Sequence, residues 1–248
     1  PSVMALLAGN DVLLAPAAPI NDFTAVKEAI NEGILSLEEI EAKCIKILQY
    51  KYIVGLNQYR PIDTQDLMKR LNSPHAAWLA AKLNSEAITV LKNTSDILPL
   101  KQLGKKKIAA LAIGDDAGNE FQTMLNRYDS IASFSIGRNA SAAAIQKVYN
   151  QLNNYDIIIC SVHTVRIPES LPLRQLSAKK ELVYAFFTLP YFCKDYKNSI
   201  QKAKALVMGY ENTPLAQEYA AQVIFGGIGA KGKLPVSIPG LYYSGTGV

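Results

Sequence analysis

Histidine is nearly absent from this chain. His75 and His163 are its only two, which excludes a histidine-rich metal site. Cysteine is almost as scarce: Cys44, Cys160 and Cys193 cannot all pair, and none stands in a CxxC motif or beside a histidine. They read as three buried thiols, with neither a disulfide framework nor a redox centre. No apolar run reaches the ~20 residues needed to span a bilayer, and no tract is low in complexity. Nothing near Pro1 has the pattern of a signal peptide. Because the chain opens inside an apolar run rather than at an initiator Met, it reads as starting within a domain, and export stays open, with a periplasmic or secreted location expected over a cytoplasmic one.

Apolar residues make up 49% of the 248 and charged ones 19%, the balance of a folded globular protein with a substantial core. The length suits one large domain, or a medium one with part of another. The net charge of +5 could suggest a polyanionic partner, but the lysines are spread out. Their densest cluster, Lys105-Lys106-Lys107, falls where a loop meets a strand and reads as solvated. No nucleic-acid partner and no membrane span are expected.

The run from Pro1 to Pro16 reads as a helix tail, a turn at Gly9, and a strand from Asp11 to Pro16. A strand apolar on both faces belongs inside a parallel sheet. Helical spacing then appears twice, in Phe23, Val26, Ala29 and Ile30, and in Leu37, Ile40, Cys44, Ile47 and Leu48. Gly33 divides the two, and Ser36 with Glu39 forms a capping box for the second. Residues 57–74 are polar and contain two prolines, which marks a linker. A helix from about His75 follows, with a β-rich end at 85–93. Strands are then expected at 107–113, 131–136, 156–162, 182–188 and 205–210, and helices at 118–128, 140–152 and 214–225. This alternation implies a doubly wound α/β domain, a mainly parallel sheet with helices on both faces.

In open α/β sheets ligands gather beyond the carboxyl ends of the strands. That rule selects Asp115 and Asp116, the loop Ser161 to Ser170, and Glu211. Adjacent Asp115 and Asp116 cannot face each other across the roughly 5–9 Å that paired glycosidic carboxyls require, so capping or turn formation is the better reading. His163, Arg166 and Glu169 share one loop and could line a polar pocket or simply be solvated. Ser95-Asp96 reads as an ordinary turn. Gly227 to Lys233 fits GxxxxGK, but Leu234 replaces the Ser or Thr of a phosphate loop, and the segment leaves a helix instead of opening one. A helix C-cap followed by an extended segment is preferred.

Taken together, Ala8-Gly-Asn-Asp-Val-Leu-Leu14, Glu86-Ala-Ile-Thr-Val-Leu-Lys-Asn93, Leu98-Pro-Leu100, Tyr210-Glu-Asn-Thr-Pro-Leu215 and Ile224-Phe-Gly-Gly-Ile-Gly-Ala-Lys-Gly-Lys-Leu-Pro-Val-Ser-Ile238 resemble glycoside hydrolase family 3 over nearly the whole chain. The resemblance implies a (β/α)₈ barrel joined to a carboxy-terminal α/β sandwich. Residues 1–56 would be the barrel's last strand and helices, 57–74 the linker, and 75–248 the sandwich. The motifs look most like the β-N-acetylhexosaminidase branch, with the β-glucosidase branch as alternative. A retaining mechanism on a carbohydrate substrate without cofactor is implied, its partner domain being the barrel. The nucleophilic Asp and the His acid/base of that branch match no residue here, so no catalytic residue is assigned, no metal is expected, and the isolated chain is expected to be inactive. Glu169 has roughly the position of the glucosidase acid/base, but its local pattern does not match. The stretch from Arg174 to Lys180 is short for the helix a family-like sandwich would carry, which could expose one face of the sheet.

Overall fold

The computed structural model describes residues 1–14, 17–101, 103–165 and 181–248. The chain divides into two compact units, Pro1–Leu67 and Met68–Val248.

The first unit is helical: α1 spans Ser2–Leu7, α2 Pro19–Asn31 and α3 Leu37–Ile53. Gly9 turns the chain out of α1 at φ +96°. The small core is Leu6, Ala29 and Leu35, flanked by Val3, Leu13, Val26, Ile30 and Ile40. The strand expected from Asp11 is not formed at Val12–Leu14. An apolar run becomes a strand only with a hydrogen-bonding neighbour, and none among the described residues pairs with it, leaving Leu14 92% exposed. Asp11 is instead tied by its carboxylate to Lys43 and Lys46 on α3. Ser36 is the N-cap of α3 but its side chain makes no capping bond, so the expected capping box is absent. Cys44 is exposed, contrary to its reading as a buried thiol, because the apolar face of α3 it shares is uncovered within this unit. Within residues 57–74, α4 forms a short helix at Leu67–Leu71.

In the second unit Ser73 caps α5 (Pro74–Ala87), its side chain accepting from the Ala76 N–H. The following strand, β1 (Thr89–Asn93), sits where a helix with a β-rich end was expected. After it come β2 (Ile108–Ile113), α6 (Glu120–Leu125), β3 (Ile131–Ile136), α7 (Ala142–Leu152), β4 (Ile157–Val162) and β5 (Glu181–Phe186). A 3₁₀ turn at Pro190–Tyr196, α8 (Lys197–Ile200), β6 (Ala205–Met208) and α9 (Pro214–Phe225) complete the order. The sheet order is β1-β6-β5-β4-β2-β3. All neighbours are parallel except β1, which runs antiparallel to β6. The turn and helix between β5 and β6 were not anticipated, and the segment Arg174 to Lys180 lies outside the described residues.

Side chains alternate strictly between two cores. Leu111, Ile113, Ile158, Cys160, Val162, Leu182, Tyr184 and Phe186 face Ile145 and Leu152 of α7 and Cys193, Tyr196 and Ile200 beyond β5. Ile108, Ala110, Ile157, Ile159, Val183 and Ala185 face Phe121 and Leu125 of α6 and Ala216, Ala220 and Ile224 of α9. Covered on both sides, β2 and β4 are buried at every position, which is why they read as unbroken apolar runs. Lys105 to Lys107 are exposed, as expected.

β1 lies at the sheet edge, where unpaired backbone groups are a liability. The terminal segment covers it: Gly232 N–H donates to Ile88 O at 3.1 Å and Val248 N–H to Val90 O at 2.9 Å. After β1, the Asn93 side chain brackets Leu98, its Oδ1 accepting from Leu98 N–H and its Nδ2 donating to Leu98 O, each at 2.9 Å. That clamp gives the VLKN and LPL segments a physical reason to occur together. Ser95 and Asp96 inside it have left-handed φ of 57° and 49°, so the turn is more strained than an ordinary one.

The Tyr196 hydroxyl is buried without a hydrogen-bond partner among the described residues, and burial pushes its pKa above the ordinary phenol value. An unsatisfied buried hydroxyl costs stability that a phenyl ring does not. Tyr196→Phe is therefore expected to raise the unfolding free energy by about 1 kcal/mol, as measured by urea denaturation. A loss of stability would show that the hydroxyl has a partner.

Candidate functional site

β2 is flanked by β3 on one side and β4 on the other, so the chain changes winding direction between β2 and β4. Their carboxyl ends form the switch point at which doubly wound sheets usually bind ligands. Among the described residues the crevice is filled. Gly114, at the end of β2, adopts φ +83°, and a Cβ there would collide with the side chain of Thr164 at the end of β4. Only glycine lets the two loops close together.

Beside this contact the His163 side chain is fully buried, stacked on Phe187 with ring centroids 4.9 Å apart. Its Nδ1 is 2.8 Å from Asn212 Oδ1 and its Nε2 is 3.2 Å from Asn119 Nδ2. Two backbone groups set the direction of these bonds. Phe121 N–H donates to Gln217 Oε1 at 2.9 Å, which turns Gln217 Nε2 toward Asn212 Oδ1 at 2.8 Å. Asn212 Oδ1 is thus an acceptor, and His163 Nδ1 must carry the proton. Gln122 N–H donates to Asn119 Oδ1 at 3.0 Å, which turns Asn119 Nδ2 toward His163 Nε2 as donor. The imidazole is consequently neutral and protonated at Nδ1. Burial lowers its pKa, opposed in part by the hydrogen bond to Asn212 and by the Asp115 carboxylate, 3.5 Å from Nδ1.

This arrangement holds loops together; it offers no proton to a substrate. Asp115 accepts from Asp116 N–H at 3.0 Å and from Asn119 Nδ2 at 3.1 Å, the turn-forming role expected of the pair. Asp116 is exposed. Ser161 is buried, its hydroxyl turned toward Leu111 O. Arg166, Glu169 and Ser170 lie outside the described residues, so the polar loop proposed around His163 is described only to Val165. Among the described residues no three His, Cys, Asp or Glu side chains cluster as a metal site. Asn119, Asn212 and Gln217 escaped sequence reading because each comes from a different loop or helix, and no spacing announces their convergence.

Glu211, at the end of β6, is exposed and lines a separate cleft of about 590 Å³ with Tyr210, Leu83, Lys231 and Lys233. The GxxxxGK segment forms one wall of this cleft. Gly226 ends α9 in a left-handed C-cap, the predicted helix stop. Gly232 N–H is spent on Ile88 O, and Lys233 Nζ donates to Gly247 O at 2.7 Å, so these groups are turned to intramolecular bonds rather than to a phosphate.

No protein-family model matches the chain. A Formosa agariphila protein assigned as a β-xylosidase is 24% identical over 270 residues, covering 95% of this chain and 35% of that protein. Among solved structures, a fungal multi-domain glycoside hydrolase family 3 β-N-acetylglucosaminidase superposes with TM-score 0.66 at 26% identity, covering 98% of this chain and 29% of that one. The family 3 β-N-acetylglucosaminidase of Paenibacillus sp. str. FPU-7 gives TM-score 0.70 at 19% identity, covering 96% and 47%. A β-glucosidase from Listeria innocua gives 0.62 at 20%, covering 96% and 37%. At such identities the last two speak for the fold alone. The chain thus spans between about a third and a half of the proteins it resembles. Its structural neighbours are family 3 enzymes, and its mostly parallel six-stranded sheet with helices on both faces matches the α/β sandwich of their carboxy-terminal domain.

Proposed function

We propose that this chain is the carboxy-terminal part of a retaining family 3 glycoside hydrolase acting on terminal β-linked N-acetylhexosamine. Residues 1–56 would belong to the catalytic (β/α)₈ barrel, and the sandwich would support it without carrying the nucleophile. The observation that carries the reading is the likeness to the fungal family 3 β-N-acetylglucosaminidase across 98% of the chain at 26% identity. The locked state of the switch point supports the scaffold role: His163, the best-placed acid/base candidate in the sandwich, has both ring nitrogens engaged by asparagine side chains.

The isolated chain is expected to release no aryl alcohol above background from aryl β-N-acetylglucosaminide or aryl β-glucoside. Turnover of either would sink the scaffold reading. The parent enzyme is expected to prefer the N-acetylglucosaminide in kcat/KM; preference for the glucoside would move it to the β-glucosidase branch, the alternative reading. Changes at His163, Arg166 and Glu169 in the parent separate the roles further. A fall in kcat/KM at unchanged stability would indicate contact with substrate, whereas the scaffold reading predicts loss of stability at His163 and little else.

A further inference from the structure

Among the described residues an open cleft lies at the carboxyl edge of the sheet beyond β6, and from it we infer a binding site for an uncharged, polyhydroxylated ligand, a mono- or disaccharide. The cleft, about 590 Å³, lies within the range of small-molecule sites. Leu83, Pro235 and the Tyr210 ring supply apolar surface.

Its charges cancel. Glu86 and Glu211 stand against Lys231 and Lys233. Lys231 is paired with Glu86 at 2.7 Å, and Lys233 binds the Gly247 carbonyl. The Glu211 carboxylate has no partner among the described residues. Each ammonium keeps N–H donors beyond those bonds and Glu211 is free to accept, so the wall offers donors and an acceptor together with no net field, which suits hydroxyl groups, since they donate and accept at once. It suits neither an anion nor a cation.

The turn that presents Glu211 is itself strained. Glu211 N–H donates to Gly209 O at 2.8 Å, and Tyr210 between them sits at φ +66°, an uncommon three-residue turn for a bulky residue. The Tyr210 hydroxyl is anchored to Thr89 Oγ1 at 2.7 Å, which fixes the ring beside the cleft. Strain of this kind concentrates where a side chain must be aimed.

The sugar assignment rests on the glycosidase reading above, but its test does not. N-acetylglucosamine, N,N′-diacetylchitobiose, glucose and, separately, inorganic phosphate would be titrated into the 248-residue chain while backbone amide resonances are followed. The expected result is saturable shifts at Gly209, Glu211, Lys231 and Gly232 with at least one sugar, at Kd on the order of millimolar. Glu211→Gln, exposed and harmless to the fold, should weaken binding about tenfold by removing a charged acceptor. Shifts with phosphate alone, no shifts at these amides, or binding unaffected by Glu211→Gln would each overturn the inference. Should the parent enzyme hydrolyse β-N-acetylglucosaminides while this cleft ignores sugars, the site falls and the proposed activity stands. Sugar binding here in an inert parent would mean the reverse.

Discussion

Gly232→Ala is expected to destabilise the second unit by about 3 kcal/mol, the upper part of the range for overpacking a rigid contact. Gly232 is glycine for want of space. A Cβ there would lie 2.7 Å from the Ala87 carbonyl carbon and closer still to its oxygen and to Thr89 Oγ1. Two of these are backbone atoms at the junction of α5 and β1, which no rotamer change can move aside. Relief requires the terminal segment to lift off β1, losing the Gly232 bond to Ile88 and exposing the sheet edge. Gly229, in the same motif, meets nothing within 4 Å, and Gly229→Ala should stay within about 0.5 kcal/mol of the parent. Urea denaturation of both variants gives the comparison. Equal, small effects would mean that the segment is not seated on the sheet edge as described.

The second large effect concerns pH. Burial holds the folded-state pKa of His163 below its ordinary 6.5, so between the two values the unfolded chain binds the proton and the folded one does not. Stability contributed by neutral His163 is then fully present above pH 6.5 and declines as pH falls toward the depressed folded value, by up to about 1.4 kcal/mol per pH unit. The geometry says what a proton would do. An Nε2–H would point at the Asn119 amide, and turning that amide over would strip the N-cap bond from Gln122 N–H. Asp115, the charged group facing the ring, offsets only part of this. His163→Gln should lower stability at pH 7 by about 2–3 kcal/mol, through the lost ring and unpaired amide groups. It should also flatten the decline below pH 6.5. Denaturation midpoints of parent and variant between pH 5 and 8 test this, and parallel pH profiles would refute it.

The central strands and the β3 edge, expected at 131–136 and found there, were legible; the β1 edge was not. β2 and β4 are apolar on both faces because helices cover both, so burial alone writes them into the sequence. β1 was merged with the end of α5 because an antiparallel edge strand entered directly from a helix has no breaker before it. Val12 to Leu14 fit the strand pattern equally well, yet a strand is a relation between two segments, and the pattern reports only one. The expected strand at 205–210 ends at Met208 because Gly209 to Glu211 turn away, a local conformation that the β-rich run conceals.

Of the candidate site, sequence placed His163, Asp115 and Glu211 at the carboxyl ends of strands by the rule for parallel sheets, and the structure puts them there. It could not say that the switch point is filled, since that depends on a missing Cβ at Gly114 meeting Thr164 from another strand. Nor could it assign a tautomer to His163, which follows from backbone N–H groups of Phe121 and Gln122 acting through Gln217 and Asn119. By itself the sequence determined the doubly wound class, the central strands and the family resemblance, because apolar periodicity and short motifs are local quantities. Tertiary structure alone decided which carboxyl-edge groups are locked and which remain open, because hydrogen-bond direction and free volume belong to segments that meet only after folding.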